Sequence, residues 1–331
     1  MHKMHYFTPF GLFEGDLGPP VKLKECFRNI KRLLYNILNM SQTVGLKRNT
    51  SDKFYTNSST VEICLNTIKQ YLHISPNDLI IEPSAGNGAF IGGLKTLSNH
   101  YRFYDLEPEH EEVIQQDYLK LDSKKLLESH KWSVAVTENS AIVSSCNVIG
   151  NPPFGRQSSL AIKFIKKSCE FCDSVSFILP KSFKKESLRK SFPLNFHLIV
   201  EIDLPYYSFL VNGQEYNVDT VFQIWAKKDH LREVVEAVEP ANFKFVKISE
   251  NPDISFRRVG VYAGKIDIDI VKSEQSHYFI KFTNDKSIND NLEALKQVRF
   301  EHNNTVGPRS ISKPELIAEF NKYTGGPRSP P

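Results

Sequence analysis

The short apolar run Asn147-Val148-Ile149-Gly150, together with the Asn151-Pro152-Pro153-Phe154 that ends it, constrains this chain more than any other stretch. The run reads as a buried strand of the kind found in parallel sheets. Two consecutive prolines stop it, because each fixes its own φ and lacks an N–H. Each also holds the residue before it extended. The carbonyls leaving this strand therefore have no ladder to join. In open α/β sheets, the carboxyl ends of the strands are where ligands bind. Asn151 adds a side-chain amide there and Phe154 a flat apolar face. Two acceptors and a ring suit one planar group that carries an NH2. The plain alternative is a Pro-rich turn, and four residues alone do not decide between the two.

An exocyclic amine is a poor nucleophile because its lone pair is delocalised into the ring. If the Asn151 side-chain oxygen and the Pro152 carbonyl accept its two protons, electron density returns to nitrogen. That chemistry needs positioning and electrostatics, with no strong base.

The rest of the chain supplies a setting for such a site. Asp78 to Ile81 reads as a buried strand running into Glu82-Pro83-Ser84-Ala85-Gly86-Asn87-Gly88-Ala89-Phe90. A strand, a loop with two glycines and then a helix is a nucleotide-binding arrangement. There is no third glycine at the dinucleotide position and no Lys-Ser/Thr for a phosphate loop. Glu82 at the strand end suits a ligand with ammonium character. A second strand, Tyr101 to Tyr104, ends at Asp105-Leu106-Glu107, where an acid can accept ribose hydroxyls. A third ends at Gln116-Asp117-Tyr118-Leu119. There Asp117 can accept from an adenine amine, with Tyr118 or Leu119 against the ring. Further strands are expected at Val175 to Leu179, His197 to Leu204 and Thr220 to Trp225, with a helix from Leu160 to Cys172. Tyr206 to Gly213 reads as an aromatic loop. Ser58 or Ser59 is expected to cap a helix running through Val61 to Tyr71. The alternation predicts an α/β fold with a doubly wound, mostly parallel sheet of seven strands.

After residue 228 the pattern changes. Phe243 to Ile248 and Tyr278 to Phe282 alternate apolar and basic residues, and helices are expected near Ser287 and at Ser312, where Ser312 and Glu315 form a capping box. The polar loop Asn303 to Ser310 offers donors to phosphate oxygens. The expected organisation is an extension at 1–50 with an amphipathic helix at 21–40, a catalytic domain at 51–228, a C-terminal α+β recognition region at 229–324 and a tail at 325–331.

Composition excludes some classes. With 40% hydrophobic and 24% charged residues, the 331-residue chain reads as globular. The net charge of +4 permits nucleic-acid binding without demanding it. Five cysteines at irregular spacing point to free thiols in a reducing, intracellular compartment. Cys169 and Cys172 have no second pair nearby, so no metal is expected. No apolar run reaches the ~20 residues of a membrane span. Pro9, Glu14 and Asp16 interrupt any signal-peptide pattern.

In order, Lys53-Phe54-Tyr55-Thr56, Glu82-Pro83-Ser84-Ala85-Gly86-x-Gly88-x-Phe90, Tyr104-Asp105-Leu106-Glu107-Pro108, Gln116-Asp117-Tyr118-Leu119 and Asn151-Pro152-Pro153-Phe154 resemble the motifs of the AdoMet-dependent adenine-specific DNA methyltransferases. The resemblance covers residues 53 to about 226 and implies a Rossmann-like class I methyltransferase fold. It implies S-adenosyl-L-methionine as methyl donor and the N6 amine of a flipped-out adenine as acceptor. Tyr55 and Thr56 would line the methionine end of the cofactor, and Glu82, Ala85, Gly86 and Gly88 would hold its amino acid moiety. Asp105 would bind the ribose, with Glu107 a second candidate, and Asp117 the cofactor's adenine amine. Asn151 and Pro152 would accept from the target amine, with Pro153 beside them and Phe154 stacked on the base. The family often has Tyr at that position, and Phe is common among RNA-directed relatives. Tyr207 or Phe209 would close over the other face of the base. By position, Arg257, Arg258, Arg309 and Lys313 would contact phosphates. DNA is the implied partner, alongside a cognate restriction nuclease. The same acceptor geometry also serves RNA adenine or guanine and a protein glutamine amide, and an inactive specificity or scaffold subunit could keep the fold.

Overall fold

The apolar runs of the sequence become the inner strands of one sheet. Strands β2 (Leu79–Glu82), β5 (Cys146–Gly150) and β6 (Ser174–Pro180) are buried at every position, as strands covered on both faces require. The computed structural model describes residues 54–138, 144–234, 238–300 and 308–325, and the side chains of 131–138 are not among those described. The expected helix at 21–40, Lys53, residues 303–307 of the polar loop and the tail from 326 lie outside the described residues.

The sheet also contains β3 (His100–Asp105), β4 (Ile114–Gln115), β7 (Phe196–Asp203) and β10 (Thr220–Lys227). Its order is β4-β3-β2-β5-β6-β10-β7. Only β10 runs antiparallel, pairing with β6 and β7. The carboxyl ends of β2, β3, β5, β6 and β7 therefore share one end of the sheet. From β2 the chain winds outward through β3 to β4, then returns to β5 on β2's other side. In open doubly wound sheets such a reversal marks the ligand-binding crevice, which here falls between the ends of β2 and β5. The Gly loop and the Asn-Pro-Pro-Phe stretch leave the sheet on either side of it.

Helices α1 (Ser58–Tyr71), α2 (Ile91–Leu94), α3 (Ser123–Glu138), α4 (Ser159–Cys169) and α5 (Glu186–Arg189) accompany the sheet. Two apolar clusters form its core. One gathers Phe177, Phe192 and Trp225, and the other Ile80, Phe103, Phe209 and Phe222.

Three local expectations change. Helix α1 is capped by Asn57, whose side-chain oxygen accepts from Thr60 N at 2.8 Å. Asn57 has the extended backbone of an N-cap, whereas Ser58 and Ser59 already lie in the first turn. Helix α4 stops at Cys169, leaving Cys172 beyond it and buried. The expected aromatic loop is a hairpin of β8 (Phe209–Val211) and β9 (Gln214–Tyr216), onto which β1 (Tyr55–Thr56) adds as a third strand. Its turn is Asn212-Gly213, both at positive φ, the dipeptide that two-residue hairpins favour.

The C-terminal region forms a separate antiparallel sheet from β11 (Phe243–Val246), β12 (Ile254–Arg257), β13 (Ile266–Asp267) and β14 (His277–Phe282), in the order β11-β14-β12-β13. Helices α6 (Ile288–Leu295) and α7 (Lys313–Thr324) begin at the expected caps, Ser287 and Ser312, the latter with its capping box. Phe243, Phe256, Ile280 and Phe320 fill its core. Lys185, just beyond β6, donates to Ser310 O at 2.9 Å and to Glu315 at 3.0 Å, joining this region to the larger sheet. No helix of the described residues is long and apolar enough to cross a membrane.

Candidate active site

Asn151 leaves β5 half-buried at the crevice. Its Nδ2 donates to Thr56 Oγ1 at 3.2 Å and faces Phe54 O at 3.5 Å. A backbone carbonyl can only accept, so Phe54 O fixes which side of the amide carries the NH2. The Asn151 Oδ1 is then left buried with no partner. Such an oxygen costs about 1–3 kcal/mol unless something donates to it. The Asn151 backbone carbonyl is held by Ser84 Oγ at 2.9 Å, which ties the stretch to the Gly loop.

The backbone beyond is strained. Pro152 is buried, Pro153 exposed, and Phe154 half-buried against the second core cluster. Leu160 N and Ala161 N both donate to Phe154 O, at 3.2 and 3.3 Å. Gly155 has φ +69°, and a Cβ there would lie 2.8 Å from Leu160 Cγ and 2.9 Å from its N. Gln157 and Ser158 follow at φ +52° and +62°, two left-handed non-glycines in succession. Strain of this kind, of order 1–3 kcal/mol per residue, concentrates at ligand sites.

Glu82 ends β2 with only 2% of its surface exposed, and its Oε2 has no partner. Gly150 packs against it; a Cβ at 150 would sit 3.1 Å from Glu82 Cγ. Burial, and then the charge of Asp105, push the Glu82 carboxyl up to about 8. Asp105 accepts from Gly86 N at 2.8 Å and from Glu107 N at 2.9 Å. Each of its oxygens keeps a further lone pair for a hydroxyl donor. Ala85 is buried, with its N donating to Tyr104 O. The His110 ring lies over Gly88, where a Cβ would come within 2.9 Å of it.

Hydrogen bonds join Gly88 to Ala85, Gly86 to Asp105 and Asn151 to Thr56, whose neighbour is Tyr55, while the Glu82 side chain packs against Gly150 without such a bond. Glu109 and Asn57 join them, and sequence reasoning missed both. Glu109 N donates to Gly86 O, and its carboxylate accepts from the Tyr55 hydroxyl at 2.7 Å. The acid-rich run after β3 was its only signal. Asn57 holds the loop after β7: its Nδ2 donates to Tyr207 O at 2.6 Å and its N to Ser208 O at 3.0 Å.

Other residues stand differently. Asp117 caps its own turn through Leu119 N at 3.1 Å and faces Lys120 at 3.4 Å. Tyr118 offers no face to a ligand, because its buried ring stacks on Phe164 at 5.4 Å. Phe209 is fully buried, edge-on to Phe54, and cannot close over a base. Tyr207 is exposed, at φ +62°. Arg257, Arg258, Arg309 and Lys313 belong to the C-terminal sheet and its flanking segments. A cavity of about 550 Å³ against His197, Trp225 and Arg232 lies at the opposite end of the large sheet and includes none of the crevice residues. Among the described residues, no group of three or more His, Cys, Asp or Glu could hold a metal ion.

No protein-family model matches the sequence, and no curated protein matches it. Similar solved structures exist at low identity. The 23S rRNA methyltransferase ErmE aligns at 12% identity over 55% of this chain and 72% of its own, with a TM-score of 0.37. An rRNA methylase from Streptococcus thermophilus aligns at 10% over 51% and 94%, with a TM-score of 0.30. A Vibrio vulnificus YJ016 protein, named as a modification subunit of a type I restriction enzyme, aligns at 9% over 92% and 67%, with a TM-score of 0.39. The strand order, with β10 antiparallel between β6 and β7, makes this an open, doubly wound α/β sheet of the Rossmann-like kind. Within it, the switch-point crevice lies between the Gly loop and Asn151.

Proposed function

We propose that the protein transfers the methyl group of S-adenosyl-L-methionine to the N6 amine of adenine in DNA. The observation that carries this reading is the Asn151 amide, whose NH2 is turned toward Phe54 and Thr56 and whose oxygen is buried without a donor. An exocyclic NH2 supplies that donor. Asn151 Oδ1 and the Pro152 carbonyl would accept the two protons of this amine and hold its nitrogen toward the donor. S-adenosyl-L-methionine, when bound, would supply the methyl group, the new C–N bond replacing its C–S bond and one amine proton passing to water.

The residues of the crevice fit the cofactor. Glu82 offers an unpartnered, buried carboxylate oxygen to its cationic amino acid end. Gly86 and Gly88 let the backbone approach, and Asp105 receives ribose hydroxyls, with Glu107 beside it. Asp117 takes the adenine amine. Tyr55 lines the methionine end with Glu109. Thr56 lines the same end, its Oγ1 accepting from Asn151 Nδ2 and its O–H left to donate. Phe154 and Tyr207 give the flipped base its two flat faces.

Methyl-labelled cofactor incubated with duplex DNA, an RNA oligomer and a protein extract tests the proposal. Label in DNA, recovered as N6-methyladenine, is expected. Label confined to RNA or protein, or none at all, would reject it.

A further inference from the structure

The loop between β12 and β13 presents two apolar side chains to solvent, Val261 at 78% exposure and Tyr262 at 73%. It is a built loop. Arg257 N donates to Lys265 O and Gly264 N to Arg257 O, both at 2.8 Å. Ala263 N reaches Gly260 O, and Lys265 N reaches Tyr262 O. Arg257 Nε braces it from below through Val259 O at 2.8 Å. A hydrogen-bonded loop that keeps two apolar side chains in water is costly unless something covers them.

The base of this loop carries a collar of positive charge. Arg258 donates to Gln275 O and lies 5.3 Å from the Tyr278 ring centre. Lys313 lies 5.9 Å from the same ring and 4.6 Å from that of Phe245. Arg309 donates to Phe300 O. These partners are neutral, so they hold the cations without cancelling their charge. Among the described residues, Arg257, Arg258, Arg309 and Lys313 form no ion pair with a carboxylate. The collar also fixes which way the loop sits. Val259 bridges to Ser310, Gly260 N donates to Arg309 O, and Ser310 O accepts from Lys185, just past the end of β6. That end lies beside the end of β5, from which Asn151 emerges.

We propose that Val261 and Tyr262 form a wedge that enters a groove of duplex DNA while the collar engages the flanking phosphates. A partner with a charged rim and an apolar interior matches an apolar tip on a basic collar, and apolar wedges between base steps bend and unstack duplexes. Unstacking near the target would assist extrusion of its base. This inference rests on the DNA reading above.

The test is fluorescence anisotropy of the full chain on a labelled mixed-sequence duplex across a salt series, comparing wild type, Val261→Ser/Tyr262→Ser and Arg258→Gln. Both tip residues are exposed, so thermal unfolding and cofactor binding should not change. The tip variant is expected to bind duplex about tenfold or more weakly with an unchanged salt slope. Arg258→Gln is expected to lower that slope by about 0.9. Unchanged duplex affinity in the tip variant overturns the wedge. So does a tip variant that loses only self-association in sedimentation, or only binding to anionic vesicles. Methyl transfer to DNA combined with tip-independent affinity would remove the wedge and leave the proposed function. Tip-dependent duplex binding without any methyl transfer would do the reverse.

Discussion

At the carboxyl end of the seven-stranded sheet, Asn151 Oδ1 and Glu82 Oε2 are buried without partners. In the four-stranded sheet, Arg257, Arg258 and Lys313 each meet a neutral acceptor or an aromatic ring. The first region bears a free-energy cost that an incoming hydrogen-bond donor relieves. The second directs its polar groups inward and leaves apolar side chains outside, at Val261 and Tyr262. Backbone strain differs in kind: Gln157, Ser158 and Tyr207 stand at positive φ near the crevice, whereas the described non-glycine residues at positive φ in the C-terminal region are Asn242 and Asn251, a type that tolerates it. The four-stranded sheet is secured instead by a cluster in which Phe256 meets the rings of Tyr278, Phe300 and Phe320. One sheet leaves polar atoms unpaired at its carboxyl end, and the other is packed around an aromatic core.

The comparison can be broken most directly at Asn151. Asn151→Ala should lower methyl transfer by about 10³-fold or more, the scale of removing a group aimed at the reacting atoms. Its stability should shift by less than about 1 kcal/mol, because losing two weak amide bonds is offset by removing an orphaned oxygen. Single-turnover transfer and urea unfolding check both. A large loss of stability would make the residue structural.

The second region should respond in the opposite sense. Phe256→Ala should cost about 3–5 kcal/mol in unfolding experiments, since it empties the centre of an aromatic core. Cofactor affinity, measured by calorimetry well below the transition, should stay within about a factor of three, because distant sites act nearly independently. Loss of cofactor binding in the folded variant would join the two regions energetically.

The smallest expected effect sharpens the first region. The Glu82 carboxyl stands near 8 in the folded chain, against an ordinary value of 4.5. The folded state therefore holds this proton more tightly than the unfolded state, and ionising Glu82 removes stability as pH rises from 4.5 to about 8. Glu82→Gln does not titrate, so it should exceed wild type in stability by a margin that grows over that window to a few kcal/mol. Urea unfolding at pH 5.5 and pH 8.5 measures the gap. Over the same window, wild-type affinity for the cationic cofactor should rise up to about tenfold per pH unit. A margin independent of pH would mean that Glu82 is ionised throughout.

Much of this was legible from short-range patterns. Continuous apolar runs gave the inner strands, and Pro152 and Pro153 gave the exit of β5. Ser312 and Glu315 marked the start of the last helix. The hairpin was legible too, in Asn212-Gly213, but the aromatic residues around it read as loop. Asn57 and Ser58 are both good caps by type, and only backbone conformation separates them. Tyr118 and Phe209 are aromatic like Phe154 and Tyr207, and their roles divide by burial, which a local pattern does not encode.

The amino-acid order by itself determined the inner strands of a mostly parallel sheet and the chemistry available at their ends, because those follow from side-chain period and from proline's missing N–H. Tertiary structure alone decided which way the Asn151 amide faces, since the groups that orient it, Phe54 and Thr56, stand 97 and 95 residues earlier in the chain. It also decided that, among the described residues, Glu82 Oε2 meets no donor and Arg258 meets only neutral partners. Hydrogen bonding and ionisation depend on what lies within a few ångströms, and only the folded chain brings such distant residues that close.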